Sequence, residues 1–202
     1  MIRFLTLLAA GLLTSSIAVA AAERPRDMVQ SQAERVLAAL VERRAEFRAN
    51  PNTLEQYVRG ELEGTFDQEY SARLVLGRHS RGVSDAKILA FANALTTNLL
   101  RRYGKAMLDF DPNVKVKVLS ETPMRDGKLM RVATEIQRAA GSPVPVDYML
   151  RNVEGEWKVF DVLVEGVSYV QTYRTQFEEQ LRDSTIDQVI DGLKRGTVGV
   201  EG

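Results

Sequence analysis

The run from Trp157 to Phe177, WKVFDVLVEGVSYVQTYRTQF, constrains the fold more than any other stretch of the chain. Its first half places apolar residues at adjacent rather than alternate positions. Phe160, Val162 and Val164 predict one face of a strand, and Trp157, Val159 and Leu163 the other, shared with Asp161. A strand that is apolar on both faces must be covered on both. Glu165-Gly166 then turns the chain straight into a helix, capped by Ser168, that carries Val170, Tyr173, Phe177 and Leu181. One tight corner therefore sets the angle between sheet and helix, and predicts the back wall of a cavity.

Three earlier runs have the period-two pattern of strands with one face in water. Val114, Val116 and Val118 alternate with Lys115 and Lys117; Met130, Val132, Thr134 and Ile136 with Arg131, Glu135 and Gln137; Val144, Val146, Tyr148 and Leu150 with Asp147 and Arg151. Asp126-Gly127, Gly141-Ser142 and Glu154-Gly155 supply turns, so the expected topology is an antiparallel meander of four strands. Pro143 and Pro145 lack ladder donors and place the start of the third strand at an edge or a bulge.

The residues before the sheet are helical in pattern. Val29, Ala33, Val36, Leu37, Leu40 and Val41 predict one helix over Asp27 to Ala49, stopped by Asn50-Pro51. Thr53 with Gln56 predicts a capping box and a second helix to about Glu63. A third runs from Asp67 to about Leu76, closed by Gly77, and a fourth from Ser84 as N-cap to about Leu108. The stripe of the fourth, Ile88, Ala92, Leu95, Leu99 and Tyr103, widened by Phe91 and Leu100, needs a large apolar surface. After the corner, Thr185 with Gln188 starts a last helix bearing Ile186, Val189, Ile190 and Leu193. The expected class is α+β in a single domain over residues 21–202, with a helical half at about 27–108, a sheet at about 113–164 and C-terminal helices at about 168–195.

Residues 1–20 have the form of a signal peptide: one cation at Arg3, an apolar stretch from Phe4 to Leu13, and the small-residue exit Ala18-Val19-Ala20, with Ala22 a second candidate cleavage point. Export without a single cysteine means stability rests on packing rather than on disulfides, and the periplasm is the expected compartment. The chain carries 27 basic and 27 acidic side chains, and loss of Arg3 leaves it close to neutral. Nucleic acid, which calls for a basic stripe, is not an expected partner.

Catalytic signatures are missing. His79 is the one histidine, without cysteine anywhere or a carboxylate beside it in sequence, so no metal site is expected. No nucleophile elbow, phosphate-cradling glycine pattern or paired His-Glu helix motif occurs. Asp161 is the acid most exposed to burial, and beside Tyr148 it could serve as a general base. A structural tie to backbone amides or to Arg174 is the favoured reading of that side chain.

The corner run, together with Leu76-Gly77, Phe91 and Tyr103, Val132 and Ile136, and Val146 with Tyr148, resembles the MlaC or toluene-tolerance family, the periplasmic phospholipid-binding component of the Mla lipid-asymmetry pathway. The resemblance implies a curved antiparallel sheet of NTF2-like or cystatin-like kind, backed by helices. It implies a non-enzymatic, monomeric shuttle that encloses phospholipid acyl chains, leaves the headgroup near the mouth, and needs no cofactor beyond that cargo. The implied partners are an inner-membrane ABC transporter with a lipid-binding hexameric subunit and an outer-membrane lipoprotein–porin complex. One departure stands out: His79-Ser80 replaces an aromatic pair after Leu-Gly.

On this reading the acyl chains lie between a sheet face of Val132, Tyr148, Leu150, Phe160, Val162 and Val164 and the helix residues Leu74, Leu95, Leu99, Val170, Tyr173 and Phe177. The enclosure has to be thorough, because each methylene left in water costs about 0.8 kcal/mol. Ten poorly covered methylenes, at roughly 8 kcal/mol, would prevent extraction from a bilayer. Arg78, Arg81 and Arg174 are secondary candidates for a phosphate contact. Two other classes fit the pattern: a small NTF2-like isomerase or hydrolase using Asp161 with Tyr148 or Tyr173, and an adaptor that binds protein through its helical face.

Overall fold

The computed structural model of the chain describes residues 23–109, 111–138 and 141–198. The expected signal peptide lies outside the described residues. The sheet has five antiparallel strands in sequence order: β1 Lys115–Met124, β2 Leu129–Gln137, β3 Val144–Val153, β4 Glu156–Val164 and β5 Val167–Ser168. The expected four-stranded meander thus gains a strand, and the cause is the corner itself. Glu165 and Gly166 both take positive φ, 50° and 82°, the requirement of a two-residue hairpin whose twist matches its strands. The chain therefore doubles back, pairing Val164 with Val167 and Leu163 with Ser168, before any helix begins. A two-residue strand is too short to show a period, so the pattern did not announce it.

A second correction concerns which residues of β4 share a face. Met149 pairs with Asp161 but Leu150 pairs with Val159, leaving Phe160 as the extra residue of a bulge. The bulge inverts parity, so Trp157 and Val159 join Val162 instead of opposing it. All three belong to the cluster of Met28, Val29, Met130, Val132 and Leu150. Phe160 leaves that face and stands edge-on to Tyr70, with ring centroids 5.3 Å apart. The prolines need correction too. β3 runs between β2 and β4, so Pro143 and Pro145 mark the beginning of an interior strand rather than a sheet edge.

Seven α-helices surround the sheet among the described residues: α1 Pro25–Glu42, α2 Arg44–Ala49, α3 Pro51–Thr65, α4 Gln68–Leu76, α5 Asp85–Leu108, α6 Tyr169–Gln180 and α7 Ile186–Arg195, with a 3-10 turn at Gly77–Ser80. None is long and apolar enough to cross a membrane. The first expected helix breaks at Arg43, which lets Phe47 turn inward against Leu40, Leu54 and Leu108. Asn50, not Thr53, caps α3. Its side chain accepts from the Asn52 amide at 3.1 Å, with Pro51 in the first helical position where no N–H is needed. α4 starts at its Asp67 cap, and α7 has the complete Thr185–Gln188 capping box. Ser84 precedes α5 without making a side-chain cap bond.

The junction of α3 and α4 closes the first half of the β4 edge. Phe66 bridges Val159 in parallel fashion, the Asp67 amide donates to the Val159 carbonyl at 2.7 Å, and Ser71 Oγ donates to the Phe160 carbonyl at 2.7 Å. β5 closes the second half. Among the described residues the single domain nevertheless holds three separate hydrophobic clusters: α1 on the sheet, α4 to α7 among themselves, and α1, α2 and α3 with the end of α5.

Candidate functional site

Where the three clusters fail to meet, a chamber of about 660 Å³ remains. From α3 and its exit come Val58, Leu62 and Phe66, one row at steps of four. α4 and α5 present the short side chains of Ala72 and Ala92 here, which keeps the helices from filling the space. Further along α5, Leu95, Leu99, Tyr103 and Met107 continue the wall. Val162 and Val164 of β4 and Tyr169, Val170 and Tyr173 of α6 complete it, so the corner forms the back of the chamber. The volume lies within the ~300–1,000 Å³ usual for ligand cavities. Water gains little in such a place, since each molecule needs two to four polar partners.

The polar side chains on the wall are mostly tied into the frame. Asp161 is buried; one oxygen accepts from the amides of Val162 at 2.8 Å and Val170 at 3.1 Å, the other from Ser168 Oγ at 2.6 Å. Ser168 in turn caps α6 by accepting from the Gln171 amide at 3.0 Å. Asp161 thus stitches β4 to the start of α6 through backbone amides. Arg174, the other partner considered, lies instead against Gly77. Tyr148 packs against the sheet cluster. Ser71 and Thr96 donate to main-chain carbonyls of Asp67, Phe160 and Ala92.

Tyr173 differs. Burial first, then the nearby Tyr169 and Tyr103, push its phenol well above the ordinary value, with the Arg102 charge opposing. The ring of Tyr169 lies 5.8 Å from that of Tyr173, and the Arg102 guanidinium lies 5.6 Å from the centroid of Tyr103. Tyr169 is 40% exposed, which puts the mouth of the chamber at this end. Among the described residues there is no cluster of three or more His, Cys, Asp or Glu able to hold a metal. His79 stands in the 3-10 turn beside Arg78.

Six of the residues expected around acyl chains line the chamber: Leu95, Leu99, Val162, Val164, Val170 and Tyr173. The other six do not. Val132 and Leu150 are fully buried in the sheet cluster with Tyr148 packed on them. Phe177 meets Phe91 edge-to-face at 5.0 Å, Phe160 meets Tyr70, and Leu74 is half-buried on α4. Of the secondary candidates, Arg78 pairs with Glu178 at 3.3 Å, and none of the three arginines touches the chamber. Sequence reasoning missed the α3 wall, although Leu54, Val58, Leu62 and Phe66 repeat at steps of four; in sequence such a row looks like any core stripe. It missed Met107 for the same reason.

Fold and site together define an α+β protein built around an apolar chamber, with its wall acid committed to holding the frame. Residues 30–195 match the family model described as MlaC protein, and the chain belongs to the MlaC family. It is 28% identical over 175 residues to the toluene tolerance protein ttg2D of Pseudomonas putida, covering 85% of this chain and 80% of that protein. It is 24% identical over 174 residues to MlaC of Haemophilus influenzae, the binding protein of an intermembrane phospholipid transport system, covering 85% and 81%. A phospholipid-binding protein from Ralstonia solanacearum, solved with a phospholipid, superposes with a TM-score of 0.74 over 86% of this chain and 97% of its own. At 19% identity that likeness is one of fold.

Proposed function

We propose that the protein is a periplasmic phospholipid carrier without catalytic activity, which takes acyl chains into the chamber and moves them between an outer-membrane lipoprotein–porin complex and an inner-membrane ABC transporter, maintaining outer-membrane lipid asymmetry. The carrying observation is the chamber itself, an apolar space of about 660 Å³ bounded by three cores and opening beside Tyr169. Membership of the MlaC family supports the reading, as do a relative named for phospholipid transport and a similar fold holding a phospholipid. Leader-directed export of residues 21–202, an NTF2-like or cystatin-like kinship of the sheet, and a monomeric state belong to the same proposal. The six chamber-lining residues, with Val58, Leu62 and Phe66, make the acyl contacts. Val132, Tyr148, Leu150, Phe160, Phe177 and Leu74 act from behind, holding the walls. Three donors already occupy the Asp161 carboxylate, which speaks against its use as a base.

Delipidated protein mixed with phospholipid vesicles and then separated from them is expected to carry phospholipid away. Val164→Glu sets a carboxylate into the apolar back wall and should cut that uptake at least about tenfold, since a charge without a partner is expensive to bury. Vesicles that keep all their phospholipid in the presence of folded wild-type protein contradict the reading. Undiminished uptake by Val164→Glu contradicts the placement of the back wall.

A further inference from the structure

Three tyrosines are grouped on the chamber wall, and the inference drawn from them rests on reading the chamber as a phospholipid site. Val58, Leu62, Ala72, Val75, Ala92 and Leu95 supply aliphatic wall, alongside Gln68, Ser71 and Thr96. Tyr103, Tyr169 and Tyr173 lie close to one another on the wall. Tyr173 is only 5% exposed, yet its hydroxyl finds no hydrogen-bond partner among the described residues. The hydroxyl is not sealed from the chamber, so a ligand atom placed there can accept from it. α5 and α6 run antiparallel here, Phe91 meeting Phe177 at one end and Arg102 flanking the tyrosines at the other. Several cations of the neighbouring elements are already engaged: Arg59 pairs with Glu55 at 2.9 Å, Lys158 with Glu156 at 2.9 Å and Arg48 with Asp109 at 2.6 Å, while Arg101 donates to the Leu193 and Lys194 carbonyls. Arg102 keeps an exposed guanidinium beside the mouth, in contact with the Tyr103 ring.

We propose that Arg102, Tyr169 and Tyr173 form a phosphate subsite at the mouth of the chamber, donating N–H and O–H hydrogen bonds to the phosphodiester oxygens of the bound lipid. A guanidinium gives charge-assisted bonds to phosphate, stronger than neutral ones. Burial keeps the Tyr173 phenol protonated, and hence a donor. The subsite selects lipids by their phosphate, whatever the headgroup beyond it, and rejects neutral diacylglycerol.

The test is calorimetric titration of delipidated protein with three probes: a short-chain phosphatidylglycerol, a diacylglycerol with the same chains, and inorganic phosphate. Wild type is expected to prefer the phospholipid to the diacylglycerol by about tenfold or more, the scale of one lost charge-assisted bond. Arg102→Gln, at an exposed position, and Tyr173→Phe, which keeps the ring, should each reduce that ratio severalfold. Equal affinity for the two lipids in wild type, or an unchanged ratio in both variants, overturns the subsite while leaving the carrier reading intact. Inorganic phosphate binding as tightly as the phospholipid overturns its assignment to a lipid headgroup. Failure of both lipids to bind overturns the carrier reading and the subsite with it.

Discussion

Asp161 stands where the chain leaves the sheet, and its two oxygens collect donors from Val162, Val170 and Ser168. Those three bonds join a strand residue, the first turn of α6 and the helix cap through one buried group. Asp161→Ala would strand all three donors near an apolar chamber, and each buried donor left without a partner costs about 1–3 kcal/mol. Some water entry and relaxation will offset this, so a loss of about 2–4 kcal/mol is expected. Urea unfolding should show it as a lower midpoint at unchanged slope. A midpoint shift below about 0.5 kcal/mol equivalent would mean the corner is held by other contacts. The residue type at this position was informative in the sequence, where an acid on an apolar strand pointed to a structural tie, either with backbone amides or with Arg174. Its partners were not, because the hairpin at Glu165-Gly166 decides which amides come within reach.

At the scale of elements, helices were the legible part. Their caps and 3.6-residue stripes are local, and Asp67, Gly77 and Thr185 mark ends where the sequence pattern puts them. Faces of β4 were not legible, since a single bulged residue at Phe160 inverts parity without leaving a compositional sign. The α3 wall offers an element-scale prediction. α3 buries only Leu54, and Glu55 and Arg59 fasten it to α5: Glu55 accepts from Arg59 at 2.9 Å and from Thr97 at 2.9 Å, while Arg59 donates to Asn93 at 2.9 Å. Burial alone would raise the Glu55 carboxyl, but hydrogen bonds from Arg59 and Thr97, with the charges of Arg59 and Arg101, outweigh it and hold it below its ordinary 4.5. A lowered folded-state value means the contribution is complete above the unfolded value and is lost as pH falls through the folded one. Amide exchange in α3 should therefore accelerate relative to α7 as pH drops below 4.5, after correction for intrinsic exchange rates. Glu55→Gln should flatten that dependence. The stake is small, below about 1 kcal/mol for so accessible a pair. A wild-type profile matching that of Glu55→Gln would contradict the fastening.

At the scale of the molecule, the described residues form three hydrophobic clusters around a gap. Fold class and the order of the elements other than α2 and β5 could be read from local patterns, whereas the gap could not, because it depends on where Ala72, Ala92 and the α3 row come to face one another. A ligand filling it touches all three clusters at once and acts as a shared core. Bound phospholipid should therefore stabilise the native state, by about 2.7 kcal/mol at a free concentration one hundred times the Kd. For a chain of this length that corresponds to a rise in Tm of roughly 5–10 °C. Equal Tm values for lipid-loaded and delipidated protein would contradict a chamber that holds the cargo. The most direct measurement is organic extraction and lipid mass spectrometry of protein purified from cells that contain phospholipid. A carrier built around this chamber yields at least one phospholipid per chain, and folded protein yielding none contradicts the account.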